Sequence, residues 1–476
     1  MARQYSRQSV DLPSIRSVQA NLILALRELL TRTSHKAWIF TGIAIRQAQV
    51  LRLGREYYSR VSNRQMEVQR RTFWACLVMD RLVSYGCWRP QMIDLDCVAI
   101  NLPCPENSFA FEQPFDGHKL GALPFPCDSA RLGMLPYFIS VLDLWAQATY
   151  IQIKGGRRYI NQQQSNSVSL LSELETRLEV FNNSIPLSMQ WSVQNLKVFR
   201  HTNQEGLFIN FHFLLLNARC VMNQEYLPYP DGTTSTTTET ISRERQDTII
   251  AACVHSSETT IAIMNELWHA DDISKRQLQS VFAAAALLSA VNTQLWLQYV
   301  RDPESKTSHR AQIRVQEVAT ILESWKAQWP VADAWLRTLV SLCDLYEDAC
   351  GPNIDYDNGS QERYDPSMPP DNVNDAQERS VARLTEGNGL PEIKTRMVDR
   401  IRFTLLSSLE DLDARERALK ASMRTAKHHV AVSEDYAGGF EYWNPEDLEL
   451  GLPELYLDEW PGLFVGPGSA TDNDGV

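Results

Sequence analysis

The sequence lacks the features that would place it outside the cell or in a membrane. No basic and apolar leader opens the 476 residues, and the longest largely apolar run, residues 281–291, is only eleven residues long. A membrane-spanning helix needs about 20 apolar residues, and a secretory leader needs a basic and then apolar start. The nine cysteines have no regular spacing, which favours reduced thiols over a disulfide framework. These absences predict a soluble protein of the cytosol or nucleus.

Signatures of catalysis and metal binding are absent as well. There is no G-x-S-x-G elbow, P-loop, H-E-x-x-H helix or dinucleotide fingerprint. Asp271 and Asp272 form the one acidic pair that could hold magnesium, but Ile-Ser-Lys follows them, and we interpret them as a helix end and the next N-cap. Cys343 and Cys350 stand seven apart on a predicted helix, without further ligands. We therefore expect no catalytic residue, no metal and no cofactor in this chain.

Positive charge is missing from the C-terminal part of the chain. No Lys or Arg follows Lys427, and the eleven acids between Glu434 and Asp474 account for nearly all of the net charge of −12. The remaining residues are close to neutral and offer no basic face for DNA phosphates. We expect no direct sequence-specific DNA binding by this chain alone.

The acidic tail also contains many large apolar side chains. Between residues 434 and 465, nine acids alternate with aromatic residues and leucines, and three prolines exclude a long helix. This pattern is typical of an acidic-hydrophobic activation segment that binds a coactivator. The alternative is a C-terminal clasp that packs on the helical body. The expected activation anchors are Trp443, Leu455, Tyr456 and Trp460.

Apolar residues recur at helical spacing through most of the chain, and no convincing strand alternation is present. The predicted fold class is all-α: a large, irregular multi-helix domain with disordered loops and an acidic C-terminal tail. The apolar run at 281–291 predicts a buried central helix. The predicted helices span residues 14–30, 34–54, 130–153, 166–183, 206–224, 246–270, 274–301, 308–328, 332–349 and 391–425, and a further helix begins at Asn63. Residues 90–128 are rich in proline and are predicted as an extended loop over the domain. Gly42 is expected to let a neighbouring helix approach closely. The predicted parts are a frayed N-terminus (1–13), the helical domain (14–350, with a polar loop near 228–245), a disordered linker (351–390), an amphipathic helical segment (391–427) and the tail (428–476).

One predicted helix, which begins at Asn63, carries charges inside its apolar stripe. Arg81 lies within the stripe, and a guanidinium in such a place needs a carboxylate. Asp94 and Asp96, after the turn at Pro90, are its expected partners, while Glu67 can reach Arg71 at the i,i+4 spacing. The stripe itself consists of Trp74, Leu77, Val78, Leu82 and Tyr85.

The residues around this helix resemble a known family. In order and spacing they are similar to the regulatory middle region of fungal zinc-cluster transcription factors, the fungal-specific transcription factor domain. Residues 37–103 carry the likeness. Gln47, Gln49 and Arg52 depart from the family's pattern without breaking a helix, and we interpret these departures as drift. The matching residues are Trp38, Gly42, Ala44, Arg46, Ala48, Leu53, Gly54, Glu67, Arg70, Arg71, Phe73, Trp74, Asp80, Arg81, Arg89, Pro90, Asp94, Asp96, Leu102 and Pro103.

The resemblance implies a nuclear, non-enzymatic transcriptional regulator that controls metabolic or secondary-metabolite biosynthetic genes. It implies a coactivator or another DNA-binding regulator as partner, with a homodimer and a small-molecule effector as further possibilities. Family members hold zinc in an N-terminal six-cysteine cluster, but these 476 residues contain no C-x2-C. A truncated gene product and a DNA-binding-deficient regulator both fit this absence. Two alternatives stay open: an all-α small-molecule-binding protein or enzyme without a recognisable motif, and a passive interaction scaffold.

Overall fold

The computed structural model describes residues 10–56, 62–85, 89–121 apart from 116, 132–156, 167–228, 243–350 apart from 302 and 304, and 397–408. These residues form fourteen α-helices and no strand beyond two isolated bridges, so the all-α prediction is confirmed for them. The helices are α1 (Ile15–Leu30), α2 (Ser34–Val50), α3 (Asn63–Tyr85), α4 (Glu106–Ala110), α5 (Met134–Ile153), α6 (Ser167–Asn183), α7 (Val193–His201), α8 (Glu205–Gln224), α9 (Arg243–Ala270), α10 (Asp272–Leu278), α11 (Val281–Trp296), α12 (Lys306–Trp325), α13 (Ala332–Cys350) and α14 (Met397–Leu406).

Helix α11 lies at the centre of the bundle, as its sequence predicts. All of its residues are buried, and it packs against α8, α9, α12 and α13. The stretch Val281–Arg301 is long and apolar enough to cross a membrane, but 94% of its apolar window is buried inside the protein. Such burial is typical of a core helix, because a membrane span would present its apolar side chains to lipid.

Helices α1, α2 and α3 form the N-terminal part of the bundle and pack against one another, and α3 also contacts α5. Helix α3 begins at Asn63, as predicted. Helix α2 ends at Val50, four residues before the predicted end at Gly54. The N–H of Arg52 bonds to the carbonyl of Gln49 and that of Leu53 to Ala48, which is the Schellman pattern. Arg52 takes the left-handed position, with φ of 56°, where a glycine was expected.

Other boundaries differ from the prediction for equally local reasons. The predicted helix 274–301 is two helices, because the Ser280 side chain accepts the Ala283 N–H and starts α11 anew. Asp271 caps α10, as predicted. The short helix α7, capped by Ser192, was missed. Residues 90–128 were predicted as one extended loop, but they contain α4 and a 3₁₀ turn at Leu95–Cys97.

The segment 397–408 packs on the main bundle. Helix α14 contacts α13 and α5, and its buried side chains include Met397, Ile401 and Leu405. Arg402 donates to both carboxylate oxygens of Glu225, at 3.1 and 2.6 Å. The rest of the predicted segment 391–427 and the whole tail, with its four activation anchors, lie outside the described residues.

Candidate functional site

Glu67, Arg70 and Arg71 on α3 form the centre of a buried charge network. Arg70 donates to Glu67 at 2.6 Å, and Arg71 donates to the other Glu67 oxygen at 2.9 Å. The second pair is the i,i+4 contact that the sequence predicts. Each of the three side chains is at most 7% exposed. Buried charges of this kind are tolerated only where other groups satisfy their remaining donors and acceptors.

Carboxylates from the segments on either side of α3 satisfy those donors. Arg70 also donates to Glu56 at 2.8 Å, while Arg71 donates to Glu106 at 2.8 Å and lies over the Phe109 ring. Burial alone would lower the pKa of Arg71, but Glu106 and Glu67 outweigh it and raise that pKa. Burial likewise raises the pKa of Glu106, against the opposing effect of Arg71. Helical spacing within α3 could not identify Glu56 or Glu106 as partners of these arginines, because both lie outside the helix.

The next turns of α3 hold the loop that follows the helix. Trp74 is fully buried, and its indole N–H donates to the Asn101 carbonyl at 2.8 Å. Phe73 meets the Trp74 ring edge-on at 5.4 Å. The Cys104 N–H donates to Glu67 at 3.0 Å. The apolar stripe therefore faces the core, and the same helix positions residues 101–104.

The prediction that Arg81 pairs with Asp94 or Asp96 is wrong. Arg81 donates to the adjacent Asp80 at 2.6 Å, and its second nitrogen donates to the Ile93 carbonyl at 3.0 Å. Asp94 is exposed and accepts the Asp96 N–H, which closes the 3₁₀ turn. Asp96 is exposed too. The two carboxylates therefore stay in solvent, whereas Asp80 is buried beside Arg81.

Asp80 also binds the loop backbone. It accepts the N–H groups of Met92 at 2.9 Å and Ile93 at 3.0 Å. Burial raises the pKa of Asp80, and Arg81 and these N–H groups oppose that rise. Burial lowers the pKa of Arg81, and Asp80 opposes that effect. The pair acts as a clamp between α3 and residues 92–93.

The remaining motif residues lie around this network and do not join it. Arg89 donates to the Ser34 carbonyl at 2.7 Å and lies over the Trp38 ring. Gly42 was expected to allow the close approach of a helix, but its neighbour is the loop residue Met92, at an ordinary contact distance. Arg46 and Pro90 are exposed.

A cavity of about 470 Å³ opens beside the network. It lies between the end of α2, the turn at 51–55, helix α3 and residues 92–98. Apolar side chains, among them Ile45, Phe73 and Met92, line its interior, while Arg52 and Arg55 line it from exposed positions. A second, more apolar groove of about 480 Å³ shares Ile45 and Met92 with this cavity.

Each carboxylate of the network accepts hydrogen bonds from arginine or from the backbone. Burial raises the pKa of the Cys76 thiol, which keeps it protonated. Across the part of the chain that the structure describes, no group of three or more His, Cys, Asp or Glu side chains could hold a metal ion. The arrangement fixes the position of a loop.

The region that contains this network is also the region that is similar to known proteins. The family model for the fungal specific transcription factor domain matches residues 3–183. A Zn(2)-C6 fungal-type transcription factor of Fusarium oxysporum f. sp. lycopersici is 28% identical over 238 residues, which are 45% of this chain and 25% of the relative. An uncharacterized transcriptional regulatory protein of Schizosaccharomyces pombe is 29% identical over 235 residues, 44% of this chain and 24% of the relative.

The chain therefore spans about a quarter of the length of these relatives. No solved structure matches it. Within residues 3–183 lie all of the motif residues on α2, α3 and the following loop. Residues 3–183 of this chain therefore match the fungal specific transcription factor domain.

Proposed function

We propose that this chain is a transcriptional regulator of the fungal zinc-cluster kind, that it acts in the nucleus, and that it is not an enzyme. The observation that carries the proposal is the domain at residues 3–183, whose motif residues form the buried network on α3. The names of the relatives, transcription factor and transcriptional regulatory protein, support the same role. The helical body would be the regulatory part. Its target genes would be metabolic or secondary-metabolite biosynthetic genes.

DNA recognition would require a partner regulator or a six-cysteine module outside these 476 residues. The residues before the tail are nearly neutral and contain no C-x2-C, so they offer few phosphate contacts. Fluorescence anisotropy with the purified 476-residue protein and a library of promoter fragments tests this, with salt titrated. Sub-micromolar binding to one sequence at physiological salt, without a partner, would contradict it. Light scattering on the same preparation measures whether the chain forms a homodimer.

The tail would act as an activation segment that binds a coactivator. Its acids would keep the chain expanded, and its aromatic residues and leucines would serve as anchors. The test fuses residues 428–476 to an unrelated DNA-binding domain in a reporter strain. We expect activation that is lost when Trp443 and Trp460 are both changed to alanine. A matched control changes Ser433 and Ser469 to alanine, which leaves the acids and the anchors intact.

The opposite result favours the clasp. If the fusion gives no activation above the unfused domain, and deletion of residues 428–476 makes the full chain insoluble, the tail packs on the helical body.

The cavity of about 470 Å³ favours a second candidate function, the binding of a small molecule. The two functions are compatible, because a regulator can respond to a ligand.

A further inference from the structure

The cavity beside α3 has the size and lining of a small-molecule site. Its volume of about 470 Å³ falls in the range of roughly 300–1,000 Å³ that such sites occupy. Its interior is formed by apolar side chains from three separate segments, including Ile45, Phe73 and Ile93. Asp80 and Arg81 fix the backbone at 92–93, so this wall of the cavity is held in place. The apolar side of the cavity is suited to the apolar body of a ligand.

Two arginines supply positive charge at the same cavity. Arg52 and Arg55 both line it and are exposed, and among the described residues no carboxylate forms an ion pair with either. The one acid in the lining, Asp94, accepts the Asp96 N–H and a weak bond from the Cys97 thiol. Among the described residues, therefore, no acid occupies the guanidinium donors of Arg52 and Arg55, and the planar geometry of these groups matches a carboxylate.

The end of α2 places Arg52 beside the cavity. Arg52 occupies the left-handed position that ends the helix, with φ of 56°, and it lines the cavity from there.

We propose that this cavity binds a carboxylate with an apolar body, the body between α2, α3 and residues 92–98, and the carboxylate at Arg52 and Arg55. The inference adds a ligand class to the regulatory function proposed above. Binding itself does not depend on that function, because it can be measured on the purified protein.

Cys97 provides a local readout of binding. It is an exposed free thiol that lines the cavity, so an occupied cavity hinders its alkylation. The assay treats the full chain with iodoacetamide and follows each cysteine by mass spectrometry. The probes are decanoate and, as its neutral match, decanamide, at equal concentrations below their solubility limits. Cys343 and Cys350 on α13 are partly exposed and serve as internal controls.

Three variants locate the carboxylate. Arg52→Asn removes the charge and keeps a residue that tolerates positive φ, and Arg55→Gln removes the second charge. The control is Arg46→Gln, which removes an exposed arginine that lines the second groove. We expect decanoate to slow the alkylation of Cys97, decanamide to do so less, and Arg46→Gln to change nothing. The double variant Arg52→Asn/Arg55→Gln should weaken decanoate binding about 10- to 100-fold, the loss expected for one or two hydrogen bonds to a charged group.

Several results would overturn the proposal. Equal protection by decanoate and decanamide, or an unchanged effect of decanoate in the double variant, would remove the role of the arginines. No protection of Cys97 by either probe would remove the site. A tail that does not activate the reporter would leave the ligand site standing, and a cavity that binds neither probe would leave the regulatory function standing, so the two hypotheses fail separately.

Discussion

Arg81→Met tests whether the clamp between α3 and residues 92–93 is needed for folding. Methionine keeps an apolar stem of similar length but removes the guanidinium that bonds to Asp80 and Ile93. Asp80, which is fully buried, would keep its charge with only backbone donors. Removing one partner of a buried ion pair costs about 3–5 kcal/mol, a large part of the roughly 5–15 kcal/mol that stabilises a typical domain. The expected fall in Tm is roughly 6–20 °C.

Double-mutant cycles identify the partner of Arg81. One cycle combines Arg81→Met with Asp80→Asn, and the matched cycle combines it with Asp94→Asn, each measured by urea denaturation. The 2.6 Å contact predicts an interaction energy of roughly 1–3 kcal/mol between Arg81 and Asp80. The stability effects of two substitutions at sites without a contact add to within about 0.5 kcal/mol, and we expect this for Arg81 and Asp94. Coupling to Asp94 without coupling to Asp80, or an unchanged denaturation curve for Arg81→Met, would refute the reasoning.

The pH dependence of the same variant gives an independent check. Burial already raises the pKa of Asp80 in the folded protein, and Arg81 opposes that rise. In Arg81→Met, the pKa of Asp80 in the folded state should rise further above its value in the unfolded state. As the pH falls, Asp80 therefore binds a proton in the folded state at a higher pH than in the unfolded state. The loss of stability caused by Arg81→Met should therefore be largest at neutral pH and become smaller in acid.

Three further results are expected. Trp74→Ala should lower the free energy of unfolding by about 3–5 kcal/mol. Trp74→Phe should lower it by less, because this variant loses mainly the hydrogen bond to Asn101. Urea denaturation measures both effects. Burial lowers the pKa of His212 to about 3, so between pH 6.5 and 5 this histidine takes up a proton only in the unfolded state. Over that range the free energy of unfolding of the wild type should fall by about 2 kcal/mol more than that of His212→Phe. Glu225→Gln should weaken the contact with Arg402 and speed proteolytic cleavage within residues 397–408, whereas the exposed control Glu244→Gln should not.

Periodicity predicted the helices that are held by packing alone. Helix α11 is apolar on every face, so its burial followed directly from its residues. Helix α3 was predicted through its stripe, and the pair of Glu67 with Arg71 followed from the i,i+4 spacing. Helix α7 was missed because it is short and buries a single residue, Leu196. The one sequence signal for it was Ser192, a good N-cap residue.

The cavity could not be predicted in the same way. Its lining comes from residues near 45–55, 73–76 and 92–98, and no local pattern indicates how three such segments meet. The departures from the family's pattern were the available signal. Gln47, interpreted as drift, is buried and accepts the Ser17 hydroxyl. Arg52, also interpreted as drift, ends α2 and lines the cavity.

The contacts of α3 give a physical reason for the spacing of the motif residues in this chain. Asp80 holds residues 92–93, Trp74 holds Asn101, and Glu67 holds Cys104. In these contacts, residues later in the loop meet residues earlier in the helix. The loop therefore runs antiparallel to α3. The helix covers about 20 Å between residues 80 and 67 at about 1.5 Å per residue, a distance that the chain from 93 to 104 spans only in a partly extended form. An insertion or deletion in either segment would shift one set of contacts against the others, and a buried charge would lose its partner. The spacing is therefore a requirement of buried hydrogen bonds and ion pairs, and the cavity wall at residues 92–98 depends on it.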